Sequence, residues 1–215
     1  MDASEHLAVL LHLAPGQGET YRHWLQKNSA KVDSQGSATG LRKKVVLANG
    51  SRIVVSLEGV SAGDLAELPG EAEAAARGTG PVAAFLDVAR PPMIMEQIFA
   101  WRTPDPRTRT ESAGLVLTLQ DGKLPEYKEW LASDVIATLE EIWRRDAIWR
   151  HDVLVSGHTV VAYYECEERF NVLRAFREPE ALALLFGDLG KLMVLDPYVP
   201  TPLFEELHVW EGPGV

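Results

Sequence analysis

The second half of the chain carries a histidine and a tyrosine on two neighbouring predicted strands. His151 lies near the start of the first of these strands, and Tyr164 lies on the second. A histidine with a pKa near neutrality is the usual proton shuttle in acid–base catalysis, and a buried phenol needs a hydrogen-bond partner such as this imidazole. We therefore predict His151 and Tyr164 as catalytic residues, with His208, beside Glu206 on the last strand, as a third. The alternatives are a solvated His151 or one paired with Asp152, and a His208 that only packs at the surface.

Aromatic side chains cluster in the same half of the chain and could line a pocket. Rings offer a large contact area at a small entropic cost, which suits a planar polycyclic ligand. In the alternative interpretation these side chains fill a core, which helical spacing favours for Trp143, and His12 is a satisfied core histidine on the first strand. The predicted substrate-binding residues are Trp143, Trp149, Tyr163, Arg150 and His12.

The period-two alternation of a strand assigns these side chains to two faces. Val160, Ala162 and Tyr164 share one face, which we expect to pack against helices, whereas Tyr163 and Glu165 share the other. His151 would then supply the hydrogen-bond partner of Tyr164 on the helix side.

Several classes of function are excluded by composition. The net charge of -10 repels phosphate backbones and anionic lipid, so neither nucleic acid nor a membrane is an expected partner. Cys166 is the single cysteine, and the sequence has no HExxH motif, so we expect no metal and no cofactor. The first residues lack the charge and apolar run of a signal peptide, which favours a cytoplasmic protein.

The chain contains an internal repeat. Tyr21, Trp24 and Leu25 recur 106 residues later as Tyr127, Trp130 and Leu131, and similar matches follow at offsets of 107 and 109 residues. A repeat of this length indicates two copies of one folding unit.

Each copy has the pattern strand, helix, strand, strand, helix, strand. In copy two the strands are predicted at 114–120, 148–155, 159–165 and 205–210, and the helices at 124–145, 167–176 and 178–192. Copy one has a degenerate first helix, which we expect to be short. The predicted organisation is copy one at 1–101, a linker at 102–113 and copy two, with the active site, at 114–215.

This pattern predicts an α+β fold. A βαββαβ unit is ferredoxin-like and leaves one sheet face open, which a second attached copy could cover. We therefore predict tandem duplicated ferredoxin-like units that form an intramolecular dimeric α+β barrel, present as a monomeric pseudo-dimer or as a homodimer.

Short motifs carry a resemblance to known families. The stretches Ala14–Gly16, Asp196–Val199 and His208–Glu211 together resemble the aromatic polyketide cyclases of the tetracenomycin type, and Glu167–Asn171 resembles L-rhamnose mutarotase. In these cyclases a tyrosine and an arginine precede the last tryptophan, whereas His208 and Val209 stand there in this sequence. Both families belong to the dimeric α+β barrel superfamily.

The cyclase resemblance implies a function. It implies cofactor-free enolisation and aldol-type ring closure of a polyketide intermediate, with a small aromatic or polyketide molecule as the partner. The alternatives are a cofactor-independent monooxygenase that acts on an anthrone-like polyketide, a sugar mutarotase, and a non-catalytic small-molecule binding protein.

Overall fold

The computed structural model describes residues 6–36, 41–59, 80–103, 110–194 and 203–212. It divides the chain into two compact units. Unit 1 contains the residues up to Glu96 together with those from Glu205 onward, and unit 2 runs from Gln97 to Phe204.

Unit 1 is an antiparallel sheet with one long helix. Its strands are β1 (His6–His12), β2 (Lys43–Asn49), β3 (Arg52–Glu58), the first part of β4 (Met93–Arg102) and β8 (Glu205–Glu211), and its helix is α1 (Gly18–Gly36). The strand order is β4, β1, β3, β2, β8. Alternate residues of β1, such as Leu7 and Val9, pack with Tyr21 and Leu25 of α1 in one apolar core.

Unit 2 contains the second set of elements. Its strands are β5 (Glu111–Thr118), β6 (Ile148–Ser156), β7 (Thr159–Cys166) and the end of β4. Its helices are α2 (Leu124–Leu131), α3 (Val135–Arg145), α4 (Phe170–Ala175) and α5 (Pro179–Gly187). The strand order is β5, β7, β6, β4, and the turn between β6 and β7 uses Gly157 at φ 57°, a conformation that glycine adopts without strain.

The predicted α+β fold is confirmed, and copy two has the predicted ferredoxin-like order of elements. The expectation of a short first helix in copy one is wrong, because α1 has 19 residues. The predicted helix 124–145 is also wrong as a single helix, since it is broken between Leu131 and Val135. The second helix of copy one would fall in 60–79, outside the described residues.

The compact units differ from the boundaries that the repeat suggests. Strand β8, the last strand of copy two, pairs with β2 of copy one, and the end of β4 lies in unit 2. The pairing is supported by an ion pair between Arg22 of α1 and Glu205 of β8. The predicted linker 102–113 overlaps the end of β4 at Arg102 and the start of β5 at Glu111, and its middle part, 104–109, lies outside the described residues.

Candidate functional site

The predicted catalytic pair lies in an aromatic cluster of unit 2. His151 of β6 and Tyr164 of β7 are register partners, and their rings stack with centroids 4.3 Å apart and an interplanar angle of 13°. Trp143 of α3 lies 4.6 Å from the imidazole ring, and Phe99 of β4 lies 5.7 Å from it. Two elements of the sheet and one helix therefore enclose the imidazole in aromatic rings.

Strand alternation places this cluster between sheet and helices, as predicted. Val160, Ala162 and Tyr164 belong to one apolar core with Leu131 of α2 and Leu139 of α3. The helix α3 presents buried Leu139 and Trp143 at an i, i+4 spacing, which puts both side chains on the helix face that meets the sheet. The position of Trp143 thus follows directly from helical periodicity.

Burial dominates the electrostatics of His151. Only 5% of the residue is exposed, and burial lowers the pKa of the imidazole from the usual 6.5 to about 4. The carboxylate of Asp152 and a backbone hydrogen bond at Tyr163 oppose this shift without cancelling it. This pKa is lower than that of the usual histidine proton shuttle, and the imidazole is neutral at physiological pH.

The neutral imidazole has an unused acceptor. Its Nδ1 is buried and has no hydrogen-bond partner among the residues that the structure describes. Burial, with a smaller contribution from Tyr127, raises the pKa of Tyr164, so its phenol keeps its proton. A buried polar atom without a partner costs free energy, which a bound molecule with a suitable donor would recover.

The opposite face of β6 and β7 carries a buried network of charged and polar side chains. Asp152, fully buried, accepts hydrogen bonds from Nε of Arg150 at 2.7 Å and from a terminal nitrogen of Arg102 at 2.6 Å. Arg150 also reaches Glu165 at 3.0 Å, and the hydroxyl of Tyr163 donates to the same carboxylate at 3.0 Å.

Arg150 and Tyr163 are therefore bound to protein groups in this network rather than placed beside His151. Arg150 lies over the Tyr163 ring, 5.1 Å from its centroid, and the Tyr163 hydroxyl also lies 3.2 Å from Ser112 Oγ. The assignment of these two side chains to substrate binding stays a prediction.

The remaining predicted site residues lie outside the cluster around His151. Trp149 is 8% exposed, and its backbone carbonyl accepts a hydrogen bond from Thr103. His208 lies on β8 of unit 1, opposite Val46 of β2. Substrate binding by Trp149 and a catalytic role of His208 stay predictions.

His12 ends β1 in unit 1, opposite Arg52 of β3. Burial, followed by the charges of Arg90 and Arg52, lowers the pKa of His12, while Asp87 acts in the other direction. The Nδ1 of His12 is buried and lacks a partner within the described ranges.

Sequence reasoning missed several members of the site. Phe99 and Trp101, whose ring lies 5.1 Å from that of Trp143, come from β4, the last strand of copy one. Their place was hidden because it depends on long-range strand pairing. Arg150 was predicted to bind substrate and Asp152 was named only as an alternative partner of His151, so their mutual ion pair was missed. Charges at alternate positions of an otherwise apolar strand are a signal that could have indicated it.

A surface groove of about 450 Å³ lies along α4 of unit 2. Its lining includes Phe170, which is 58% exposed, and Arg177. The guanidinium of Arg169 lies 4.8 Å from the centroid of the Phe170 ring. The groove thus combines one exposed ring with several charged side chains.

No set of three His, Cys, Asp or Glu side chains in the described part of the chain is arranged to hold a metal ion. No helix among those same residues is long and apolar enough to span a membrane.

Comparisons with known proteins show similarity in structure alone. No known protein family matches the sequence, and no curated protein matches it. An anthrone oxidase-like protein is similar in structure, with a TM-score of 0.63, 13% identity and coverage of 99% of this chain and 94% of the other. A proposed monooxygenase from Fusobacterium nucleatum has a TM-score of 0.59 at 9% identity. The similarity covers 100% of this chain and 98% of the other.

A proposed monooxygenase from Lactobacillus acidophilus is also similar in structure, with a TM-score of 0.56 and 6% identity. The similarity covers 97% of this chain and 96% of the other. At identities this low, the similarities show a common fold. The fold shared with these proteins spans nearly the whole chain.

Proposed function

We propose that this protein is an enzyme that removes a proton from an acidic carbon of an aromatic ketone and oxidises that carbon with molecular oxygen. The observation that carries the proposal is the stacked pair of His151 and Tyr164, in which Nδ1 of a neutral, buried imidazole is left without a partner in the described part of the protein. A ketone of the anthrone type has both the planar shape that aromatic walls favour and a CH₂ group activated by its carbonyl.

In the first step, His151 Nδ1 accepts a proton from the CH₂ group and leaves an enolate. The pKa of about 4 makes the free imidazole a weak base. An enolate held against it changes this, because an adjacent negative charge in a poorly solvated site favours the imidazolium form. Proton transfer is therefore coupled to the presence of the bound substrate.

In the second step, the electron-rich enolate carbon reduces molecular oxygen. One oxygen atom forms the new carbonyl of the product, the other leaves as water, and the two hydrogens of the CH₂ group end in that water. The reaction balances as ketone CH₂ plus O₂ giving C=O plus H₂O. Molecular oxygen is the only oxidant required.

In this proposal the substrate reaches the pair by displacing the ring of Phe99. Phe99 is partly exposed, whereas Trp143, Tyr164 and His151 are buried. A substrate ring that displaces the Phe99 ring would therefore contact the imidazole directly, and would replace one aromatic neighbour by another.

The similarity to an anthrone oxidase-like protein over 99% of the chain supports this choice of substrate class. Two proposed monooxygenases of the same fold support an oxygen-dependent reaction. These similar structures suggest which substrate and oxidant to assay, and the arrangement of His151 and Tyr164 supports the proposed proton transfer.

A second candidate is an aromatic polyketide cyclase that begins with the same enolisation. It is favoured by the phenol of Tyr164, whose raised pKa keeps it protonated. Such a group can donate a proton to the alkoxide that forms in aldol closure. The cyclase consumes no oxygen, so the two candidates are separable.

Oxygen uptake with anthrone as the substrate tests the proposal. We expect uptake above spontaneous autoxidation, and a loss of about 100-fold or more in His151→Gln, as is usual when a general base is removed. The control is His158→Gln, an exposed histidine in the turn between β6 and β7, which should retain full activity.

Equal rates for the wild type and His151→Gln would contradict the proposal. Closure of a poly-β-carbonyl substrate without oxygen uptake would identify the cyclase instead, and a bound but unchanged ligand would identify a binding protein.

A further inference from the structure

Behind His151, on the other face of β6, lies a carboxylate held by two guanidinium groups. Asp152 receives two hydrogen bonds from Arg102, at 2.6 and 3.2 Å, and two nitrogens of Arg150 lie 2.7 and 2.6 Å from one of its oxygens. Asp152 is fully buried, and Arg150 is 5% exposed. Both oxygens of the carboxylate are therefore bound, and its orientation is fixed.

This arrangement is coupled to His151 by the strand itself. His151 and Asp152 are consecutive residues of β6, so their side chains point to opposite faces of the sheet, and their register partners are Tyr164 and Tyr163. The backbone position of Asp152 therefore also sets the position from which the imidazole stacks on Tyr164. The negative charge of Asp152 also favours a proton on His151.

The corresponding position in copy one shows that the fold does not need a charge there. Asp152 pairs with Tyr163 in the strand register, and Val45 pairs with Ser56 in the same place, 107 residues earlier. Val45 is 1% exposed. A well-packed apolar residue at a buried ion-pair position is commonly as stable as the pair or more stable, so stability alone does not explain Asp152.

We propose that Asp152, held by Arg102 and Arg150, is a positioning residue that fixes the orientation of His151 and sets its proton affinity, and that Arg102 limits how strongly the carboxylate acts. The proposal rests on the proposed function only in treating His151 as the base. Arg102 is the adjustable member because its side chain is 37% exposed, whereas that of Arg150 is 6% exposed.

Other titratable and charged groups lie on the elements packed around His151. Tyr164 of β7 and Tyr127 of α2 are neutral phenols whose pKa values are raised by burial. On α3, Arg144 lies 5.5 Å from the centroid of the Trp101 ring and is paired with Glu140 at 3.0 Å. On β4, Arg102 lies 2.6 Å from Asp152 on the opposite face of the sheet from His151.

Glu165, near the end of β7, is the second carboxylate of the buried network that contains Asp152, Arg150 and Arg102. It lies 3.0 Å from Arg150. The network therefore contains two guanidinium groups and two carboxylates, so removal of one cation leaves a net negative charge behind the imidazole.

The test measures the pKa of His151 by NMR in the substrate-free protein labelled at histidine nitrogens, with the signal assigned by its loss in His151→Gln. We expect Arg102→Gln to raise this pKa by about half a unit or more, because it removes a positive charge next to Asp152. Arg102→Lys keeps the charge and should restore the wild-type value. The matched control is Arg22→Gln, which breaks an arginine-carboxylate pair in unit 1 and should leave the pKa of His151 unchanged.

The same variants are then compared in the oxygen-uptake assay across pH. The midpoint of the rate profile should move in the direction of the NMR pKa in Arg102→Gln and return in Arg102→Lys. An unchanged pKa in folded Arg102→Gln, or an equal shift in both Arg102 variants, would overturn the proposal. Because the NMR measurement needs no turnover, a shifted pKa without oxygen uptake would reject the proposed function and retain the role of the network.

Discussion

At the scale of single residues, the protein keeps a histidine neutral by surrounding it with rings. His151 was identifiable from its residue type and its strand position, but its pKa was not. The sequence predicted Tyr164 as a hydrogen-bond partner of His151, whereas the two rings stack, and it did not indicate the Phe99 ring from another strand. These neighbours remove the water that would stabilise the charged imidazole. The role of His151 stays a prediction, and its protonation state is the property that only the three-dimensional packing reveals.

The lowered pKa of His151 predicts a dependence of stability on pH. The imidazole has its usual pKa of 6.5 in the unfolded chain and a pKa of about 4 in the folded protein. The unfolded state thus binds more protons in this window, so the free energy of unfolding falls as the pH drops from about 6.5 to 4.

The expected loss at pH 4 is on the order of 3 kcal/mol from this residue. Urea unfolding at several pH values measures it, with His151→Gln as the variant that lacks the titrating group. The free energy of unfolding should depend more steeply on pH in the wild type than in His151→Gln, and only between about pH 6.5 and 4. Equal pH dependence in the two proteins would show that His151 is not buried in its neutral form.

At the scale of elements, the break between α2 and α3 was not predicted from the sequence. The apolar periodicity of 124–145 continues across Ala132, Ser133 and Asp134 because Leu131 and Ile136 both enter the same core, so the pattern gave no sign of the break. The hydroxyl of Ser133 donates to the Trp130 carbonyl at 2.6 Å and closes the end of α2. Such local hydrogen bonds are not visible in hydrophobic periodicity.

The junction between α3 and β6 predicts a stabilising substitution. Ala147 has φ 55°, the left-handed conformation that glycine adopts at the end of a helix without steric cost. We expect Ala147→Gly to raise the free energy of unfolding by up to about 1 kcal/mol. Ala137→Gly, at an exposed position inside α3, is the matched control and should lower it by about 1 kcal/mol.

Thermal and urea unfolding of both variants measures this difference. A loss of stability in Ala147→Gly as large as that in Ala137→Gly would mean that the left-handed conformation carries no strain at this junction.

At the scale of the whole molecule, the repeat predicted the order of elements in copy two and the α+β class. It did not predict that β8 pairs with β2, because strands with similar alternation in two copies can pair within a copy or across copies. For the same reason the sequence did not indicate that Phe99 and Trp101 of copy one, and Arg102 at the start of the predicted linker, belong to the environment of His151. The candidate site is therefore assembled from both copies of the sequence, although all of its described members lie in unit 2.

The central claim is that His151 takes a proton from carbon, and anaerobic deuterium exchange measures this step directly. Anthrone is incubated with the protein in D₂O without oxygen, and deuterium at its CH₂ group is followed by NMR or mass spectrometry. We predict that the wild type and His158→Gln accelerate exchange above the uncatalysed rate, and that His151→Gln loses about 100-fold of this acceleration or more. Exchange that is equally fast with the wild type and His151→Gln, or no faster than without protein, would contradict the claim.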